Sequence, residues 1–120
     1  MTDEWETRGV KEGLEFAILT NEITEAWAGL TTKEYKNLKG LKKENLRDNM
    51  TNLELVLNML AETATTEISQ RRKPKNFPEN KEVAKEGGTI AGNARKEIES
   101  KTGNRVIVGK NARELKLVKD

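Results

Sequence analysis

The sequence predicts an all-α fold: a small domain of two long helices and several short ones. Apolar residues recur at helical spacing along most of the chain, and two capping-box patterns precede such runs. The composition agrees with this fold class. Charged residues make up 35% of the 120 residues, against 34% hydrophobic and 4% aromatic, which is typical of a thin core covered by solvated helices.

We expect the first helix over residues 7–28, where two adjacent apolar stripes keep helical spacing, and Gly29 ends it. Broad apolar coverage predicts that other elements pack over much of this helix. The stripes are formed by Val10, Leu14, Ala17 and Ile18, and by Phe16, Leu19, Ile23, Trp27 and Leu30.

Shorter helices follow. Thr31 and Glu34 have the spacing of a capping box, which predicts a helix that runs to about Lys39. Gly40 then interrupts the pattern, and another short helical piece is predicted over residues 43–48.

The most regular helix begins behind a second capping box, formed by Thr51 and Glu54, and runs to about Ser69. Its apolar positions keep an i, i+3, i+4, i+7 pattern, which is typical of an amphipathic helix. They are Leu53, Val56, Leu57, Leu60, Ala61, Ala64 and Ile68.

A linker is predicted over residues 73–80, because this stretch has two prolines, polar residues and little periodicity. It divides the chain into an N-terminal helical half, residues 1–72, and a C-terminal helical half, residues 81–120. We expect the second half to pack on the first, so that the chain forms one domain.

The C-terminal half is dominated by a long helix predicted over residues 79–101, with Gly103 as its left-handed C-cap. The β-branched run at residues 105–108 has the composition of a short strand, although a strand needs a partner. A short terminal helix is predicted over residues 111–115.

Several function classes are disfavoured by composition. The chain has no Cys and no His, which excludes disulfides, thiol or imidazole catalysis and zinc fingers, and neither Ser69 nor Ser100 lies in a nucleophile motif. We therefore expect a protein that is not an enzyme and needs no metal or cofactor. No signal sequence or membrane-spanning run is present, so we expect a cytoplasmic protein without membrane contact.

Five cations lie close together in the middle of the chain, and we refer to residues 36–47 as the basic segment. Acidic residues outnumber basic ones over the first 30 residues, so charge is unevenly distributed along the chain. The segment fits a solvated basic face, or a surface that binds phosphate groups or an acidic partner. Its candidate contact residues are Lys36, Lys39, Lys42, Lys43 and Arg47.

Small residues form a stripe on the last long helix, where Ala84, Gly88 and Gly92 recur at every fourth position with Ala91 beside them. Each Gly in a helix interior costs about 1 kcal/mol relative to Ala, so the missing side chains must allow a compensating contact. The small-residue stripe therefore predicts a helix-packing groove. It is filled either by another helix of this chain, or by a partner helix or a phosphate backbone.

The stretch AWAGLTTKEYKNLKGLKKENLRDNMTNLELVLNMLAETATTEIS, residues 26–69, resembles the C-terminal region of the DNA-damage-inducible protein D family of bacteria. The similarity continues through RGVKEGLEFAILTNEITE before it and NKEVAKEGGTIAGNARKEIESKTGNRVI after it, so it covers nearly the whole chain. Its most specific part is GLKKENLRDNMTNLEL, residues 40–55, and the resemblance marks GLKKENLRDNM, residues 40–50, as a candidate contact surface.

This resemblance implies a regulatory role in the bacterial DNA-damage (SOS) response and brings no catalytic residue with it. The implied partner is a RecA-type recombinase, or its filament on single-stranded DNA, which such proteins are linked to antagonising. Direct contact with single-stranded DNA is compatible with this role. The resemblance also implies kinship with phage antirepressor-type proteins, whose BRO-like N-terminal domain is missing from this sequence.

We therefore expect a non-enzymatic interaction domain that modulates a recombinase filament through the basic segment. One alternative is an antirepressor-type module that sequesters a repressor through the small-residue stripe. Another is a domain that only forms homo-oligomers.

Overall fold

The computed structural model describes residues 2–11 and 13–109 of the chain. Over these ranges it contains five α-helices and no strand, which confirms the predicted all-α fold. The helices are α1 (Thr2–Thr7), α2 (Leu14–Ala28), α3 (Thr32–Leu38), α4 (Asn52–Arg72) and α5 (Phe77–Thr102), and a 3₁₀ turn spans Arg47–Asn49.

The first predicted helix begins too early, because α2 begins at Leu14. Gly9 and Gly13 have φ angles of +78° and +81°, in the left-handed region, where a right-handed helix cannot continue. The prediction of one helix over residues 7–28 is therefore wrong at its start, because apolar spacing does not reveal a glycine turn. The turn lets α1 fold back, so that Trp5 is buried and its ring lies 5.4 Å from that of Phe16, centroid to centroid.

Both predicted capping boxes are confirmed. The Thr31 side chain accepts a hydrogen bond from the Glu34 N–H, and the Glu34 carboxylate accepts one from the Thr31 N–H. Thr51 and Glu54 repeat this arrangement before α4. Gly103 adopts the predicted left-handed C-cap after α5.

Residues 40–50 form an irregular loop, and the helical piece predicted at 43–48 is absent except where the 3₁₀ turn at Arg47–Asn49 overlaps its end. Gly40 turns the chain after α3 with a φ angle of +72°. Three apolar side chains of the loop join the core, and their spacing of five and four residues does not place them on one face of a short helix. These three apolar side chains are Leu41, Leu46 and Met50. Packing therefore decides the path of this loop.

A short connection joins α4 to α5, which pack against each other as an antiparallel pair. The predicted linker 73–80 is too long, because α5 begins at Phe77. The Asn76 side chain caps this helix by accepting a hydrogen bond from the Glu79 N–H at 2.9 Å. Pro78 fits in the first turn, where no N–H donor is needed.

The core lies between α2, α4 and α5, and glycines of α5 set the distance between these helices. A Cβ atom on Gly87 would lie 2.7 Å from Thr65 Cα of α4. On Gly88 or Gly92 it would lie 2.6 Å from an atom of Ala26 on α2. These distances are shorter than van der Waals contact, so α5 approaches both neighbours this closely only because the side chains are missing.

Residues 105–108, with the composition of a strand, form bends and no strand. Within the described part of the chain no second extended segment pairs with them. Val106 is instead buried, and its N–H donates to the Glu99 carboxylate at 3.1 Å. The helix predicted over residues 111–115 lies outside the described residues.

Candidate functional site

A groove lies between α2, α3 and the 40–50 loop, and its first part also reaches Trp5 of α1 and Asn58 and Glu62 of α4. Its first part has a volume of about 460 Å³ and an apolar floor that includes Ile23, Leu46 and Met50. Its second part adjoins the first and runs along α3. Both parts are lined by Thr20, Thr32 and Lys36.

In the part of the chain that the structure describes, four cations line this groove, and we call it the basic groove. Lys33 and Lys36 lie on α3, whereas Lys42 and Arg47 lie on the loop. The groove therefore brings together three of the predicted contact residues, Lys36, Lys42 and Arg47. The prediction omits Lys33, although its position one helical turn before Lys36 is a signal that places both side chains on one face.

The other two predicted contact residues do not line the groove. Lys43 is exposed on the loop but lines neither part. Lys39 is buried, because its Nζ atom lies 2.6 Å from Oε1 of Glu54 and both side chains are 0% exposed. The prediction that Lys39 contacts a partner is wrong, since this ion pair withdraws its ammonium group from solvent.

Glu54 is the centre of a buried polar cluster between α3 and α4. Its carboxylate accepts hydrogen bonds from Lys39 Nζ, from the Thr51 N–H at 2.8 Å and from the Tyr35 hydroxyl. Burial, together with the hydrogen bond to Glu54 and its charge, raises the pKa of Tyr35 above its usual range, so the hydroxyl stays protonated and donates. The cluster fixes both ends of the 40–50 loop.

Arg47 is held by a second set of contacts, at the first part of the basic groove. Its guanidinium forms an ion pair with Glu62 of α4, and these side chains are 51% and 33% exposed. Asn58 Nδ2 donates to the same Glu62 carboxylate at 3.1 Å, and Trp27 Nε1 donates to Asn58 Oδ1 at 3.2 Å. Trp27 is fully buried, so Glu62 is oriented by a contact that reaches the core.

The small-residue stripe is filled within the chain. All four of its predicted residues are buried, and Gly88 and Gly92 lie directly against the backbone of α2. This surface is therefore not open to a partner helix or to a phosphate backbone. The four residues are Ala84, Gly88, Ala91 and Gly92.

The outer face of α4 carries exposed apolar side chains. Val56 and Met59 are each 59% exposed, and Leu53 and Leu60 are exposed beside them. Large side chains with helical spacing on a solvated face are typical of a contact surface. We call these four residues the α4 outer face.

In the described ranges, no three carboxylates lie close enough together to hold a metal ion. None of the helices in those ranges combines the length and the hydrophobicity that a membrane span needs.

A protein-family model matches most of the chain. It is described as the DinD C-terminal domain, and it matches residues 1–110. The chain belongs to the DinD C-terminal domain family. No curated protein and no solved structure matches it.

The family assignment connects the chain with DNA-damage-inducible proteins, as the sequence resemblance predicts. In this DinD C-terminal domain, the GLKKENLRDNM segment forms the 40–50 loop and supplies Lys42 and Arg47 to the basic groove. The candidate contact surface that the resemblance marks therefore builds one side of that groove.

Proposed function

We propose that this DinD C-terminal domain is a non-enzymatic module that binds a recombinase filament by contacting the phosphates of its single-stranded DNA. The observation that carries the proposal is the convergence of Lys33, Lys36, Lys42 and Arg47 from two separate segments on one concave surface. Basic side chains arranged along a groove are typical of proteins that follow a nucleic-acid backbone. Binding there would modulate the filament by competing for its DNA or by blocking its growth.

Counterion release predicts how strongly the binding constant should depend on salt concentration. Each cation that neutralises a phosphate of a single strand contributes about 0.7 to the slope of log K against log salt concentration. The three groove lysines therefore predict a slope of about −2, and Arg47, which is already paired with Glu62, adds little to it.

The loop geometry favours binding, because its ends are already ordered. The buried contact between Lys39 and Glu54 joins the end of α3 to the first turn of α4, so the 40–50 loop begins and ends at fixed points. A prearranged surface loses less conformational entropy when a ligand binds.

The proposal is tested by fluorescence anisotropy with labelled single-stranded DNA, both naked and coated with recombinase, over about 50 to 200 mM salt. The K36E/K42E variant should lose binding to both. The K85E/K96E variant is the matched control, because it changes the net charge equally at exposed positions of α5 that do not line the groove. Equal losses in the two variants would show a nonspecific charge effect and would contradict the proposal.

The two probes also separate phosphate from protein contacts. Salt-dependent binding to naked DNA supports contact with phosphates. Binding that requires recombinase and is insensitive to K36E/K42E would place the contact on the recombinase protein, outside the basic groove.

A second candidate function is homo-oligomerisation through the α4 outer face, which the exposure of Val56 and Met59 favours. Sedimentation at increasing protein concentration should then show an oligomer that Val56→Glu dissociates and Thr89→Glu, at an exposed position of α5, does not. A monomer at all concentrations would reject this candidate. The antirepressor-type alternative depended on an open small-residue stripe, which α2 fills.

A further inference from the structure

The basic groove contains one feature that opposes anion binding. Glu62 lines its first part and forms an ion pair with Arg47, so one groove cation is already neutralised in the free domain. The second part, lined by Lys33, Lys36 and Lys42, has no carboxylate among its described lining residues, and Lys36 is the one of these lysines that also lines the first part beside Glu62. A ligand that binds Arg47 must therefore replace its ion pair with Glu62.

The two members of this ion pair are held differently. Glu62 lies on α4, and its carboxylate also accepts a hydrogen bond from Asn58, which is itself held by the buried Trp27 indole. Arg47 comes from the 40–50 loop, and its side chain is half exposed. The arginine is therefore the member that can turn away while the carboxylate stays in place.

We propose that Glu62 is a built-in competitor for phosphate, which holds Arg47 until a phosphodiester group of single-stranded DNA replaces it. This inference rests on the proposed function and names the ligand group that Arg47 takes. Partly exposed ion pairs contribute little to stability, so the Arg47–Glu62 contact opens without unfolding the domain. A guanidinium binds phosphate through two parallel hydrogen bonds, which makes phosphate an effective replacement for a carboxylate.

A nucleic-acid strand fits this exchange better than an acidic protein segment. A protein carboxylate at Arg47 would replace Glu62 with a chemically equal group and gain little. A strand brings successive phosphates, so the phosphate at Arg47 arrives together with others at Lys36 and Lys42. Arg47 therefore leaves Glu62 for a phosphate when the strand already contacts the lysines of the groove.

The E62Q variant tests the competition directly. A glutamine at this position keeps an oxygen that accepts the hydrogen bond from Asn58, but it carries no charge to hold Arg47. The matched control is E67Q, which makes the same change in net charge at an exposed position five residues further along α4.

Anisotropy with a labelled single-stranded oligonucleotide should show E62Q binding about two- to fivefold tighter than wild type, with E67Q close to wild type. The salt slope of E62Q should be steeper by about 0.7, because Arg47 then neutralises a phosphate without leaving a bare carboxylate behind. Adding R47Q should weaken binding more in the E62Q background than in wild type. Circular dichroism verifies that each variant is folded.

The outcomes separate the competition from the proposed function. If wild type binds DNA but E62Q and E67Q behave alike, the competition is refuted and the groove proposal stands. If wild type binds and E62Q binds more tightly while E67Q does not, both are supported. If only E62Q binds, the competition is supported but the proposed function of the wild-type domain is refuted. If no variant binds either naked or recombinase-coated DNA, both are refuted. If E62Q binds more tightly than wild type only when the DNA is coated with recombinase, the assignment of phosphate as the competing group is refuted.

Discussion

Lys39→Met should strongly destabilise the domain. The Glu54 carboxylate would remain at 0% exposure but lose the ammonium group 2.6 Å away that neutralises it. Removing one partner of a buried ion pair costs about 3–5 kcal/mol, because the remaining charge is buried without compensation. Small domains are stabilised by about 5–15 kcal/mol in total, so this loss is a large fraction of the free energy of unfolding.

The double variant K39M/E54Q separates the effect of charge from the effect of shape. A glutamine at position 54 can offer its oxygen to the Thr51 N–H and donate from its amide nitrogen to the Tyr35 hydroxyl oxygen, and it leaves no buried charge. We expect the double variant to be more stable than K39M alone by about 2–3 kcal/mol, although it contains one more substitution.

Urea unfolding followed by circular dichroism measures wild type, both single variants and the double variant. Lys85→Met is the control, because it removes an ammonium group from an exposed position and should change stability by less than about 0.5 kcal/mol. If the losses in the free energy of unfolding from K39M and E54Q add up in the double variant, or if K39M is as stable as the control, then Lys39 and Glu54 do not compensate each other's buried charge.

Gly88→Ala should destabilise the domain by about 1–2 kcal/mol. The added Cβ atom would lie 2.7 Å from the Ile23 carbonyl oxygen, and the free-energy cost of this clash between α2 and α5 exceeds the gain from the higher helix propensity of Ala. Thermal unfolding measures this, and an unchanged melting temperature would contradict the close approach. Acid should also release α1. Burial by itself raises the pKa of Glu4, but the hydrogen bond from Ser69 and the ion pair with Arg8 hold it below the ordinary value of 4.5. The stability from these contacts is therefore present above this ordinary value and is lost as pH falls through the lower pKa of the folded domain. The indole NMR signal of the α1 tryptophan, followed from about pH 6 to pH 3, should report this release, and Ser69→Ala should shift the transition to higher pH.

The polar clusters explain how a domain with a thin core keeps a defined loop. One cluster centres on Glu54 and fixes both ends of the 40–50 loop, while the other links Arg47 to Trp27 through Glu62 and Asn58. Buried side-chain polar atoms without a hydrogen-bond partner are absent from the described residues. The basic groove thus depends on satisfied polar contacts as well as on apolar packing.

Local sequence was sufficient for the helix ends. The capping boxes at Thr31 and Thr51 and the C-cap at Gly103 were predictable because each involves hydrogen bonds between residues three or four positions apart. The start of α2 was not predictable in this way. Gly9 and Gly13 lie within a stretch whose apolar spacing is helical, and only their left-handed φ angles separate α1 from α2.

The candidate site shows the same division between local and distant contacts. The basic segment marks Lys36, Lys42 and Arg47 as neighbours in sequence, but their common groove needs α2, which lies before them in the chain. Lys39 belongs to the same segment and is withdrawn by Glu54, fifteen residues away. Nothing in the charge pattern distinguishes it from the exposed lysines.

Composition, periodicity and short-range hydrogen bonds thus specify the all-α class and the capped helix ends at Thr31, Thr51 and Gly103, since each depends on residues within about one helical turn. Contacts between distant segments decide which lysine is buried, which arginine is neutralised by Glu62 and which helix fills the small-residue stripe. The physical reason is that burial and ion pairing depend on what packs against a side chain, and in this domain those partners come from other helices.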